Sequence, residues 1–147
     1  MPGPTSEDPI ISAWFGVEFQ GKVQGAFREC TGLGSENEVV ESKQSNGQFV
    51  LKKLPGNMKF NNITLKRGIT SAMDMWKWRK LVEQGKIDEA RVNGSIIMFN
   101  HQGQELARWN LVRAWPSKLT GPAPSAGANQ PAMEELVLVN EGFTRVQ

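Results

Sequence analysis

Residues 60–85 read FNNITLKRGITSAMDMWKWRKLVEQG, and within this stretch the hydrophobic period changes from two to about 3.6. From Phe60 to Arg67 the alternation puts Ile63 and Leu65 on one face of a strand, and Gly68 breaks it. Ser71 then stands as a helix N-cap, with Asp74 three residues later in a weakened capping-box position. Met75, Trp78, Leu81 and Val82 recur at spacings of three and four, which predicts a helix over Ala72 to Gln84, about 71–84 with its cap. Gly85 suits the C′ position. No other segment carries this period, so one helix is expected.

Strand patterns flank it on both sides. On the N-terminal side, Phe15, Val17 and Phe19 share a face between Trp14 and Gln20. Gly21-Lys22 reads as a hairpin turn, and Val23 to Cys30 as the returning strand with Phe27 inward. Thr31-Gly32-Leu33-Gly34 stops it. Ser35 to Lys43 is a polar strand around Val39 and Val40, Ser45-Asn46-Gly47 is a turn, and Gln48 to Leu54 returns until Pro55-Gly56. This is an extended hairpin over about 35–56. On the C-terminal side, Ile87 to Val92 leads into a strand from Val92 to Phe99. Asn100-His101-Gln102-Gly103 forms a hairpin loop, and Glu105 to Trp115 returns. Residues 116–132, PSKLTGPAPSAGANQPA, read as a long Pro/Gly loop. Met133 to Asn140 is apolar on both faces, so it is a central strand or one covered by another copy. Residues 1–9, rich in proline, read as a loose arm.

About seven strands, one helix and no βαβ rhythm give a mainly β fold. We expect a small antiparallel β-barrel or sandwich with one flanking helix. The 147 residues make one domain, 1–147. No run of 18 apolar residues occurs, so stable membrane insertion is not expected. MPGPTSEDP has no basic or apolar run, so no secretory signal is visible. A single cysteine, Cys30, excludes a disulfide framework, and a single histidine, His101, excludes HExxH and two-histidine metal sites.

Candidate chemistry is sparse. Gly32-Leu33-Gly34 begins like a dinucleotide fingerprint, but Asn37 stands where the third glycine belongs. Asn62-Ile63-Thr64 and Asn93-Gly94-Ser95 match a glycosylation pattern that means little without a secretory signal. Glu134-Glu135 are strand neighbours that point to opposite faces, so they cannot flank one bond. Cys30 has Arg28 nearby but no base beside it, and His101 lies in a polar loop. Trp76-Lys77-Trp78-Arg79-Lys80 interleaves aromatics with bases and suits either single-stranded nucleic acid or an amphipathic helix with Trp78 inward. No catalytic, metal or cofactor-binding residue is assigned, and no enzyme activity is expected.

The order of motifs resembles the tail tube proteins of contractile phage tails and the inner tube proteins of extracellular contractile injection systems. The residues that carry the resemblance include Phe15-x-Val17-x-Phe19-x-Gly21 and Phe27-Arg28-Glu29-Cys30-Thr31-Gly32-Leu33. Glu36-x-Glu38-Val39-Val40-Glu41, Lys53-Leu54-Pro55-Gly56 and Asn62-Ile63-Thr64-Leu65-Lys66-Arg67-Gly68 follow, the last being the most specific. Ala114-Trp115-Pro116-x-Lys118 and Glu134-Glu135-Leu136-x-Leu138 complete the set, over about residues 14–143. Cys30 and Thr31 depart from a valine and serine common in the family. The resemblance implies a β-barrel subunit with one flanking helix. Six copies form a ring, and rings stack into a hollow tube that sheath contraction drives through a target envelope. The implied partners are further copies of itself, a contractile sheath protein, baseplate or hub proteins, and a protein or DNA cargo in the lumen. Assembly in the producing cytoplasm, followed by residence in a phage tail-like particle or virion tail, is likewise implied.

The residues themselves suggest where copies meet. Residues 1–51 carry a net charge of −4, residues 52–91 a net of +6, and residues 92–147 none. Unlike segments suit a head-to-tail interface. The arm from Ser35 to Gly56 has only Val39, Val40, Phe49, Val50 and Leu51 to anchor it. We expect it to project and dock on adjacent subunits through Glu36, Glu38, Val39, Val40, Glu41, Phe49, Leu51, Lys52, Lys53 and Pro55. The rival expectations are a single-ring adaptor at a tube end and a monomeric nucleic-acid-binding barrel that uses Trp76 to Lys80.

Overall fold

The computed structural model describes residues 14–45, 49–122 and 132–147. The arm at 1–9, the turn at Asn46-Gly47 and the centre of the Pro/Gly stretch lie outside the described residues. In chain order the elements are β1 (Trp14–Phe19), β2 (Val23–Phe27), β3 (Glu29–Thr31), β4 (Ser35–Ser45), β5 (Phe49–Phe60) and β6 (Ile63–Gly68). Then come α1 (Asp74–Glu83), α2 (Ile87–Ala90), β7 (Val92–Phe99), β8 (Glu105–Thr120), β9 (Met133–Val139) and β10 (Gly142–Arg145). All strand pairing is antiparallel.

Hydrogen bonding runs in the order β2-β1-β7-β8-β9-β6-β3, with β10 on β8 and with β4-β5 as a separate ribbon. The two ends of that path, β2 and β3, are consecutive in the chain. Arg28 N–H between them donates to Lys66 O at 2.9 Å, so the path returns on itself. Two bent segments make the corners. At Arg28 the chain leaves β1 and takes up β6. Around Arg113, in left-handed backbone (φ 47°), β8 leaves β10 after Val112 and β7 after Ala114 and pairs with β9 from Trp115. Arg113 N–H is satisfied there by Asn93 Oδ1 at 2.9 Å. Strands that switch sheets at a bend are how an antiparallel sandwich closes into a barrel.

Alternation places the core. Val17, Phe19, Val23 and Phe27 face inward from β1 and β2, and Ile63, Leu65, Leu136 and Leu138 from β6 and β9. Phe19 lies over Gly94, where an added Cβ would sit 2.2 Å from the ring and 2.5 Å from Glu18 O, so only glycine permits this β1–β7 spacing. Trp78 of α1 packs 5.2 Å from the Phe19 ring and closes that end of the barrel. Its indole N–H donates to Ala90 O at 2.7 Å, which holds α2 beneath α1.

Several sequence expectations are corrected. The helix begins at Asp74 with Met73 as N-cap, and Ser71 makes no cap. Thr70 Oγ1 accepts the Ala72 N–H at 3.2 Å, so a local turn precedes the helix. The expected loop over 116–132 is shorter, because β8 continues to Thr120. Similarly the hairpin extends past Pro55-Gly56 to Phe60. Both prolines sit beside register irregularities, at Pro116/Lys118 and next to the Val39–Pro55 pair, where a missing N–H breaks no regular ladder. The strand expected from Val23 to Cys30 is divided at Arg28. α2 and β10 add to the elements expected, since four residues leave too short a period to read.

Candidate assembly interface

The β4–β5 ribbon leaves the barrel through a clamped base. Asn61 N–H donates to Gly34 O at 3.1 Å, and Asn140 Nδ2 donates to Asn61 O at 3.3 Å. Phe60 stacks edge-on against Phe143 of β10 at 5.0 Å. Gly32 (φ +95°) turns the chain so close to Asn62 that an added Cβ would fall 2.1 Å from its carbonyl oxygen. Beyond this base only the two strands remain. A bulge sets Gly56 and Asn57 against Glu38, and Asn37 Nδ2 bonds Gly56 O across it at 3.3 Å.

The register brings most expected interface residues together as cross-strand pairs. Val39 lies opposite Pro55, Val40 opposite Leu54, Glu41 opposite Lys53, Ser42 opposite Lys52, and Lys43 opposite Leu51. Glu36 lies opposite Lys59 and bonds it at 3.3 Å. Phe49 pairs with Ser45 in the backbone ladder, and its side chain lies outside the described residues. Paired residues share a face, and successive pairs alternate. Val40 and Leu54 therefore project from one face, and Val39, Pro55 and Leu51 from the other. All are exposed, Val39 at 63% and Leu54 at 49%. Leu54 lay within the expected arm but was not among the expected interface residues, and Met58 and Lys59 were missed because Pro55-Gly56 read as the end of the arm.

A two-stranded hairpin is marginal alone in water. Here neither face is covered by the chain's own barrel. Covering Val39, Val40, Leu51, Leu54 and Met58, each already partly shielded, would contribute on the order of 1 kcal/mol apiece. Charge is less available than the segment totals suggest. Glu36 pairs with Lys59, and Glu29 bonds Lys66 at 3.7 Å. Such exposed pairs contribute little to stability. They do spend, within one copy, part of the complementarity expected between copies.

The other candidate residues have structural roles. Glu134 faces inward, 1% exposed, directly opposite Arg67, which is 7% exposed. Its Oε2 accepts from Arg67 Nε at 3.4 Å and its Oε1 from Trp76 Nε1 at 2.8 Å. The same guanidinium bonds Asp74 Oδ1 at 2.5 Å and lies 5.2 Å over the Phe27 ring. A buried carboxylate, one guanidinium and the first turn of α1 therefore tie the helix to the sheet. Glu135 sits on the opposite face. Trp78 is buried and offers no free face for stacking, whereas Trp76 is half-buried with its indole N–H bonded to Glu134. Burial pushes the Cys30 thiol up to about 12. His101 is exposed in its turn. Among the described residues no three His, Cys, Asp or Glu side chains cluster as metal ligands. No helix there is long and apolar enough to cross a membrane.

Residues 12–144 match the family model described as T4-like virus tail tube protein gp19. No curated protein sequence matches the chain. Among solved structures, one similar chain belongs to the sheath-tube complex of PVC, an extracellular contractile injection system, in its extended state. It is 25% identical, with 95% of this chain and 93% of that one covered and a TM-score of 0.79. A chain in the PVC sheath/tube terminator structure is also 25% identical, covering 97% and 100% with a TM-score of 0.81. Hcp1 from Flavobacterium johnsoniae is 11% identical over 90% of this chain and 94% of its own, with a TM-score of 0.55, and shares the fold.

Proposed function

The chain belongs to the T4-like tail tube protein family, and from that membership we propose that it is the inner tube subunit of a contractile injection system or phage tail. Six copies form a ring, and rings stack head to tail into a hollow tube that sheath contraction drives forward. The observation that carries this reading is the ribbon, with apolar side chains exposed on both faces and no cover from its own barrel. Two unlike faces suit a heterologous contact, in which one copy's ribbon lies against different surfaces of its neighbours. The subunit is a geometric element and catalyses nothing. It would assemble in the producing cytoplasm beside sheath and baseplate proteins and carry protein or DNA cargo.

A single-ring adaptor at a tube end is the second reading, favoured by the likeness to a chain in a tube terminator structure. The nucleic-acid-binding monomer is supported less, since Trp78 is buried with its indole N–H on Ala90 O and only the half-buried Trp76 is left to stack.

The test is the double substitution Val39→Asp/Leu54→Asp, which charges both faces of the ribbon and touches nothing in the barrel. The wild type is expected to give rings or tubes under the electron microscope and the variant single folded copies. Long tubes from the variant would overturn the role given to the ribbon, and wild-type rings that never stack would favour the adaptor.

A further inference from the structure

A groove of about 500 Å³ lies between the turn joining β1 to β2 and helix α1, away from the ribbon. Its lining includes the buried Trp78, the apolar side chains of Leu81 and Met73, and the lysines Lys22 and Lys77. Asp74 also lines it, but its carboxylate is held by Arg67. Neither Lys22 nor Lys77 has an ion pair among the described residues. The lining thus combines apolar side chains with two lysines. An occupant that fits carries adjacent bulky apolar residues preceded by acids.

The chain contains one such segment outside the described residues: Glu7-Asp8-Pro9-Ile10-Ile11. Two carboxylates match two ammonium groups, and two isoleucines match the apolar side chains. Proline between them has a fixed φ, which lowers the entropic cost of binding.

Reach decides which copy it can fill. Trp78 packs on Phe19, at the far end of β1 from Trp14. Five residue steps of a strand put that end about 17 Å from Trp14. Ile11 and Ile10 precede Trp14 by three and four residues, a full reach of roughly 10–14 Å even if the chain folded straight back. They fall short of the groove in their own copy.

We propose that the groove between the β1–β2 turn and α1 receives residues 7–11 of an adjacent copy, with Ile10 and Ile11 over Trp78 and with Glu7 and Asp8 at Lys22 and Lys77. This second contact rests on the tube reading above and adds to the ribbon. It links copies through chain outside the barrel and fixes which copy lies beside which.

The test is a disulfide trap in the full chain, Ile10→Cys with Met73→Cys in a Cys30→Ala background, run beside wild type imaged for rings and tubes. With assemblies present, non-reducing gels are expected to show a ladder of linked copies. Charge reversal gives the independent readout. Lys22→Glu/Lys77→Glu and Glu7→Lys/Asp8→Lys are each expected to raise the concentration needed for assembly about tenfold. Combined in one chain they are expected to restore it. Wild-type assemblies without intermolecular linkage and without rescue would overturn the inference and leave the tube reading standing, with the groove assigned to another partner. A wild type that never assembles and never links would overturn both.

Discussion

Replacing Glu134 by glutamine removes one negative charge from the inside of the barrel without changing side-chain size. Arg67, opposite it in the β6–β9 ladder, would then face a neutral amide and keep only Asp74 as counter-charge. Breaking a buried pair by removing one partner costs about 3–5 kcal/mol. The surviving Asp74 contact reduces this to about 2–4 kcal/mol. Unfolding entropy for a chain of this length is about 0.3 kcal/mol per kelvin, so the midpoint falls by about 6–13 °C. Glu135→Gln is the matched control. Glu135 lies one residue away on the other face, half-buried, and a change there should stay within about 0.5 kcal/mol. The assay is thermal unfolding followed by circular dichroism, at a concentration where each variant sediments as a single copy. Equal shifts for the two variants, or a Glu134→Gln midpoint within 2 °C of wild type by that same entropy scale, would refute the claim that the buried network holds α1 to the sheet.

The Cys30 thiol should resist iodoacetamide in the folded chain at pH 8 and react once the chain is unfolded. Its pKa is raised from 9.0 to about 12, so below pH 9 both states hold the proton and stability is unaffected. As pH rises from 9 to 12 the unfolded thiol ionises while the folded one does not, so this group's contribution to stability falls; rapid alkylation at pH 8 would contradict the burial. Gly94→Ala should cost about 1–3 kcal/mol, because the new methyl meets the Phe19 ring and a β1 carbonyl, whereas Gly68→Ala has its nearest contact at 3.9 Å and should be close to neutral. Equal unfolding midpoints for these two variants would show that the β1–β7 spacing does not depend on glycine.

The barrel was legible wherever a strand has one wet and one dry face. Val17 and Phe19, and Ile63 and Leu65, announce themselves by alternation and are buried; Leu136 and Leu138 are buried too, but in a strand apolar on both faces, where alternation does not pick the inward one. The helix was legible from the spacing of Met75 and Trp78, but its start was not. Asp74 uses its carboxylate on Arg67 and on the Met75 N–H next to it, not in a capping box with Ser71. Proline misled twice. Pro55 and Pro116 read as breakers, and only the paired strand reveals the bulge beside each. The ribbon was visible as a thinly apolar hairpin, and its exposure followed from having too few anchors for a core. Glu134 was hidden because its partners come from β6 and α1, 67 and 58 residues away in the chain, and no local pattern reports such a pairing. The charge asymmetry was real in the sequence, but antiparallel pairing of β4 with β5 folds part of it back on itself.

Assembly is the central claim, and the solution mass of the purified full chain, measured across a concentration series and imaged by negative stain, tests it most directly. One copy weighs 16.3 kDa, so a six-membered ring is expected at about 98 kDa, with hollow stacks of such rings at higher concentration. A single 16.3 kDa species at every concentration, with no rings in the images, would contradict it.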